Sequence, residues 1–254
     1  MVVVVKIGGA LITDKQRPFR IRYEVLRRLA KELAQAYREC CREMVLIHGG
    51  GSYGHYVVHE YGSRLEGDGF YVTIMFMREL NRVFVEHLHA VNVPAVPVDT
   101  HAIALKKGDR LQLFLDTITY MLKKGYVPVL YGDVVVGDRV YVLSGDEIAW
   151  FLARELQAKR LVFVTEVLGV FDKSPEVPGA KLINEVRLVD VVKLDMHSAK
   201  GIDVTGGMAT KLRLGLVYRP HRACEVAIIG GTIPENVYRT LCGHHIVGTR
   251  VRLD

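Results

Sequence analysis

The sequence has no run of about 18 apolar residues, which excludes a transmembrane helix of ordinary length. It has no CxxC pair and no histidine at zinc-site spacing from a cysteine, which argues against a zinc ribbon or a thioredoxin-type redox centre. Its four cysteines, Cys40, Cys41, Cys224 and Cys242, are too few for a disulfide scaffold and fit a reducing compartment. The opening Met1 to Lys6 lacks a basic n-region and is too short for a signal h-region, so a cytoplasmic protein without a membrane partner is expected. No stretch rich in Pro, Gly or Ser separates two halves, and no internal repeat is evident. Lys and Arg exceed Asp and Glu by 34 to 28, a net charge of +6 that suits small anionic ligands. The excess is scattered, without a basic stripe interleaved with aromatics, so nucleic acid is not an expected partner. The doublets Arg27-Arg28, Lys106-Lys107 and Lys123-Lys124 read as solvated helix faces.

What is present is alternation of strand and helix patterns. The β-branched run of residues 2–7 stops at Gly8-Gly9, as a buried strand entering a tight turn does. Val25, Leu26, Leu29, Ala30, Leu33 and Tyr37 recur at helical spacing, and residues 44–47 form the next strand pattern. Strand, helix, strand implies a parallel right-handed crossover. Further strands are expected at 95–98, 127–130, 161–164, 225–229 and 246–251. Helices are expected near 72–90, 111–122, 147–157 and 234–241, and after Gly206-Gly207. Residues 134–136 and 140–143 flank Gly137-Asp138-Arg139 and predict one antiparallel hairpin. The expected fold is a three-layer α/β/α sandwich with one continuous, mainly parallel sheet, in a single domain over residues 1–254.

Glycines concentrate where the strands end, which is where an open α/β sheet binds ligands. The clusters are Gly8-Gly9, Gly49-Gly50-Gly51 with Gly54, Ser144-Gly145-Asp146, and Thr205-Gly206-Gly207. Glycine lets backbone N–H groups approach an oxyanion, and a helix N-terminus adds partial positive charge. Any one cluster could serve a turn alone; four together point to phosphate. Lys6 interrupts a buried β-branched run, where an ammonium needs an anionic partner, and Lys15 and Lys211 lie near the first and last clusters. Gly49 to Gly54 formally matches GxGxxG, but the acid a dinucleotide site needs at the end of the next strand is missing: Glu79 falls in a helical pattern. The Walker sequence is absent as well. His55 and His59 stand at i, i+4, yet no third ligand is evident nearby and the HExxH order is missing, which disfavours a zinc site.

The string from Lys6 through Gly8, Gly9, Ala10 and Thr13 to Lys15 resembles the N-terminal motif of the amino-acid kinase superfamily. His48 to His55 resembles the second motif of its isopentenyl phosphate kinase branch, and Ser144-Gly145-Asp146 and Asp203 to Met208 with Lys211 are similar to its later motifs, in the same order. The resemblance implies an ATP-dependent kinase of isopentenyl phosphate with Mg²⁺, a homodimer, an N-terminal acceptor part, and a nucleotide part from about residue 160. By resemblance, Lys6 and Lys211 contact ATP phosphates, Lys15 stabilises the transferring group, Asp146 orients the ammonium groups, and His55 takes the acceptor phosphate. Gly50, Gly54, Ser144 and Gly145 fall on the acceptor side; Gly8, Gly9, Ala10, Gly51, Thr165, Gly169, Gly206 and Gly207 fall on the nucleotide side. Glycine-rich donors and several lysines suffice for phosphoryl transfer, which needs mainly positioning and charge neutralisation.

The apolar stretch from Phe70 to Val83 reads equally as pocket lining for an isoprenoid tail and as core or dimer packing. Three positions depart from the family pattern. Ala10 replaces a usual Ser, and Glu166 and Leu168 replace two usual acids beside the nucleoside region. A superfamily relative acting on fosfomycin, a nucleoside monophosphate or an acyl amino acid, and a non-catalytic oxyanion-binding protein, are the competing readings.

Overall fold

A computed structural model describes residues 1–14, 16–62, 65–190 and 206–254, without the side chain of His55. Every residue of β1 (Val3–Ile7), β2 (Met44–His48) and β6 (Val127–Tyr131) is buried, as parallel strands covered on both faces require. With β3 (Ala95–Pro97), β9 (Arg160–Thr165), β10 (Glu185–Arg187), β11 (Glu225–Gly230) and β12 (Gly248–Arg252) they form an eight-stranded sheet ordered β10-β12-β11-β9-β1-β2-β6-β3. Only the β11–β12 pair is antiparallel. β1 is central, with Ile7 level with His48 of β2 and Val164 of β9, so three strand ends meet at one edge.

Strand alternation divides the core into two layers. Val3, Val5 and Ile7 face α2 (Tyr23–Glu39), α3 (Gly51–Tyr61), α4 (Asp68–His89) and α9 (Asn236–Leu241). Val4 faces α6 (Leu115–Lys123), α7 (Gly145–Glu155) and α8 (Gly206–Val217), and Lys6 follows its parity. Two single-turn helices, α1 (Gly9–Ile12) and α5 (Thr100–Ile103), follow β1 and β3. The three-layer α/β/α sandwich expected from the sequence is therefore present.

The sheet is not the whole β content. The hairpin of β7 (Asp133–Val135) and β8 (Tyr141–Leu143) forms as expected, as a separate two-stranded ribbon. A second ribbon, β4 (Ala104–Lys107) with β5 (Arg110–Leu113), turns at Gly108, whose φ is +53°. It takes the first turn of the helix expected over 111–122, which instead begins at Leu115, because residues 104–107 supply an antiparallel partner. Lys106 accordingly lies on a strand and pairs with Glu147; it is not on a solvated helix face. Arg28 is also paired, with Glu32 at 2.7 Å.

Cys40 and Cys242 form a disulfide, which corrects the expectation that all four cysteines stay reduced; their spacing gave no sign of the link, because it depends on two helix ends meeting in the fold. They cap the C-termini of α2 and α9, which pack side by side on one face of the sheet. Cys41 and Cys224 are free and buried.

Candidate active site

The loops after β1 and β2 touch through glycine. A Cβ on Gly9 would lie 2.1 Å from the Gly51 nitrogen, and one on Gly51, at φ +50°, would lie 2.0 Å from Thr13 Oγ1. Close backbone approach thus requires glycine here, beyond any service to a turn. Thr13 fastens the contact: its hydroxyl donates to the Gly9 carbonyl at 2.9 Å and accepts from the Ser52 N–H at 2.9 Å. Gly8 N–H donates to Val164 O and Gly49 N–H to Ile7 O, so the loops are bonded to the strand ends. α3 starts at Gly51 and α7 at Gly145, where the Ser144 hydroxyl accepts from the Glu147 N–H at 3.1 Å. A Cβ on Gly145 would meet His48 O at 3.1 Å and Lys6 Cε at 3.4 Å, so α7 opens onto the same cradle.

One carboxylate organises its charge. Asp146 Oδ1 pairs with Lys6 Nζ at 2.8 Å and Oδ2 with Lys211 Nζ at 2.6 Å. Burial alone would raise the Asp146 carboxyl, but the two ammonium groups outweigh it and hold it well below the usual carboxylate range. Burial, with repulsion from Lys6, lowers Lys211 to about 8 against the pull of Asp146. Lys211 Nζ also lies 4.9 Å above the Phe163 ring, beside Lys6 across β1 and β9. Two cations around one anion leave a net positive charge beside the N-terminal ends of α3 and α7, an arrangement suited to a polyanion.

A model of the amino acid kinase family matches residues 1–229. The chain belongs to that family. Among its relatives, the isopentenyl phosphate kinase of Methanocaldococcus jannaschii is 30% identical over 99% of this chain and 98% of its own. That of Methanothermobacter thermautotrophicus is 32% identical over 98% of both. A crystal structure of an isopentenyl phosphate kinase superposes with a TM-score of 0.84 at 28% identity, over 98% of this chain and all of that one. This amino acid kinase is an ATP-dependent phosphotransferase.

In the kinase, Lys6, Gly8, Gly9, Ala10, Gly50, Gly51, Gly54, Ser144, Gly145, Asp146 and Lys211 belong to the loops, helix starts and ion-pair cluster just described, while Gly206 and Gly207 open α8. Lys15, the His55 side chain and Asp203 to Thr205 lie outside the described residues. Thr165 ends β9, its hydroxyl donating to Val167 O at 2.6 Å. Gly169 has a packing reason of its own, since a Cβ there would lie 2.6 Å from Thr249 Oγ1. Glu166 pairs with Arg22 at 2.9 Å, joining the loop after β9 to the chain entering α2, and Leu168 packs on Gly230.

The apolar stretch divides by helical phase. Met77 and Leu80 are buried, and Met77 Sδ would lie 3.2 Å from a Cβ on Gly50. Phe76 stacks on Phe19 at 4.4 Å, whereas Tyr71 and Met75 are exposed. His48 is fully buried between Phe84 and Tyr131, and burial lowers it to about 4, so it is a neutral support for the glycine turn. The motifs do not reach Trp150, whose indole N–H donates to the Lys211 carbonyl at 2.7 Å, or Glu147 and Tyr218, which bond to each other at 2.8 Å.

The lowered Lys211 has a measurable consequence. kcat/KM for ATP, which reports the free enzyme, is expected to fall as pH rises through about 8 and Lys211 loses its charge. In Lys211→Arg that limb should be absent, because guanidinium does not titrate there. A wild-type profile flat to pH 10 would show that this charge is not needed.

Proposed function

We propose that this kinase transfers the γ-phosphate of ATP to isopentenyl phosphate, giving isopentenyl diphosphate and ADP. The observation that carries the acceptor assignment is the end-to-end match to relatives named for that substrate, at 30% and 32% identity. The site's charge supports the transfer. An oxygen of the acceptor phosphate attacks the γ-phosphorus in line, the bond to the β–γ bridging oxygen breaks, and ADP leaves with that electron pair. Lys6 and Lys211 neutralise ATP phosphates, Lys15 the transferring group, and His55 binds the acceptor phosphate. Gly50, Gly54, Ser144 and Gly145 hold the acceptor; Gly8, Gly9, Gly51, Gly206 and Gly207 supply nucleotide-side backbone, with Ala10, Thr165 and Gly169 alongside. The N-terminal part takes the acceptor and the part from about residue 160 the nucleotide.

The donor set fits Mg²⁺ that arrives with ATP. Asp146, the carboxylate at the centre of the described site, already accepts two ammonium groups, leaving phosphate oxygens and water as metal ligands. The ion would supply charge neutralisation at the β- and γ-phosphates. Among the described residues no helix is long and apolar enough to cross a membrane. On the family resemblance we read the enzyme as a homodimer and as cytoplasmic, with the Cys40–Cys242 disulfide a departure from the reduced thiols usual in that compartment.

An acceptor panel tests the assignment. ADP formation with isopentenyl phosphate should exceed that with acetylglutamate, glutamate or UMP by more than about 100-fold in kcat/KM. Comparable rates with one of the others would overturn the acceptor assignment and leave the phosphoryl-transfer site intact.

A further inference from the structure

Asp146 and Glu147 are consecutive on α7, so their side chains leave the helix about 100° apart. Asp146 turns to the lysines. Glu147 turns to the far side, where its side chain is 9% exposed and still ionically paired. Lys106 Nζ donates to both of its carboxylate oxygens at 2.7 and 2.8 Å, and the Tyr218 hydroxyl donates to Oε1 at 2.8 Å. The three side chains come from three elements: Lys106 from β4, Glu147 from the start of α7, and Tyr218 from the residue after α8.

α8 carries Lys211, and α7 holds α8 at three points. Asp146 takes the Lys211 ammonium, the Trp150 indole N–H donates to the Lys211 carbonyl at 2.7 Å, and Glu147 takes the Tyr218 hydroxyl two turns further on. Gly215 lets the helices close, since a Cβ there would lie 2.7 Å from the Trp150 ring. For stability alone, well-packed apolar residues would serve this position as well as a buried ion pair. A directional, charge-assisted cluster one residue from Asp146 instead fixes orientation.

We infer that Glu147, through Tyr218 and Lys106, is a positioning residue that sets the α8 helix so that Lys211 meets Asp146, and thereby sets the affinity for ATP. This rests on the role given above to Lys211. Trp150 is the sole tryptophan and touches the Lys211 carbonyl, so its emission reports this junction directly.

The test titrates MgATP into the full chain while following Trp150 emission, with the KM of each substrate measured in parallel. Tyr218→Phe and Lys106→Met should each weaken ATP binding about 10-fold, as expected for losing a hydrogen bond to a charged group, and leave the KM for isopentenyl phosphate unchanged. Glu147→Gln should weaken it at least as much; if that variant does not fold, the other two carry the test. Unchanged ATP affinity in both, or an equal rise in both KM values, would overturn the inference. Lys211→Met separates the layers. If it weakens ATP binding and the Tyr218 and Lys106 variants do not, only the positioning role fails; if it has no effect, the reading of the nucleotide site fails and the inference with it.

Discussion

Asp146→Asn is expected to lower kcat by about 10²- to 10³-fold, the scale of removing a preorganised electrostatic group from a phosphoryl- or acyl-transfer site. The substitution keeps the side chain's shape and removes its charge, leaving Lys6 and Lys211 to repel one another where Asp146 had held each within 2.8 Å. The lysines then splay or lose protons, and either outcome takes charge from the place where the transferring phosphoryl group needs it. Breaking a buried ionic cluster also costs about 3–5 kcal/mol, so kcat has to be referred to the folded fraction, read from a denaturation curve of the same sample. A folded variant within tenfold of wild type would show that the triad is structural.

Removing the Cys40–Cys242 disulfide, by Cys40→Ser or by reductant, should lower stability on a scale comparable to the loss of the Asp146 cluster, without touching the site. The bond closes a loop across a separation of 202 residues, with Cα atoms 5.5 Å apart. Chain-entropy arguments put the stabilisation from so long a loop near 5 kcal/mol, and measured values generally fall nearer 2–4 kcal/mol. The link joins the C-termini of α2 and α9, so its loss should free the C-terminal helix from the first long one. Urea unfolding with and without reductant measures it: the midpoint should fall in wild type and stay fixed in Cys40→Ser. An unchanged wild-type midpoint would mean that the link contributes nothing to folding in solution.

Much of the layered architecture was legible because buried parallel strands and amphipathic helices leave strong periodic signals, as residues 2–7 and the Leu26 to Tyr37 stripe do. The β4–β5 ribbon was not, since Leu111 and Leu113 suit the start of a helix as well as a strand and only the partner over 104–107 decides between them. The disulfide was equally hidden, because two cysteines 202 positions apart carry no sign that two helix ends will meet. At the site, glycine clusters and lone lysines marked an anion-binding region, while only the family resemblance put Asp146 with Lys6 and Lys211, the residues that pair in the structure. Glu147, Trp150 and Tyr218 stayed silent: an acid, an indole and a phenol on apolar helix stretches look like ordinary surface or core until α7 and α8 are placed together. A lysine doublet likewise gave no sign that Lys106 would be half-buried and paired with Glu147.

The most direct measurement of the central claim is mass identification of the product made from MgATP and isopentenyl phosphate, by the unmodified chain and by His55→Ala. Isopentenyl diphosphate with stoichiometric ADP is expected from the unmodified chain, with strongly reduced formation in the variant. A folded, ATP-binding wild-type chain that makes ADP without isopentenyl diphosphate, or makes neither, would contradict the account.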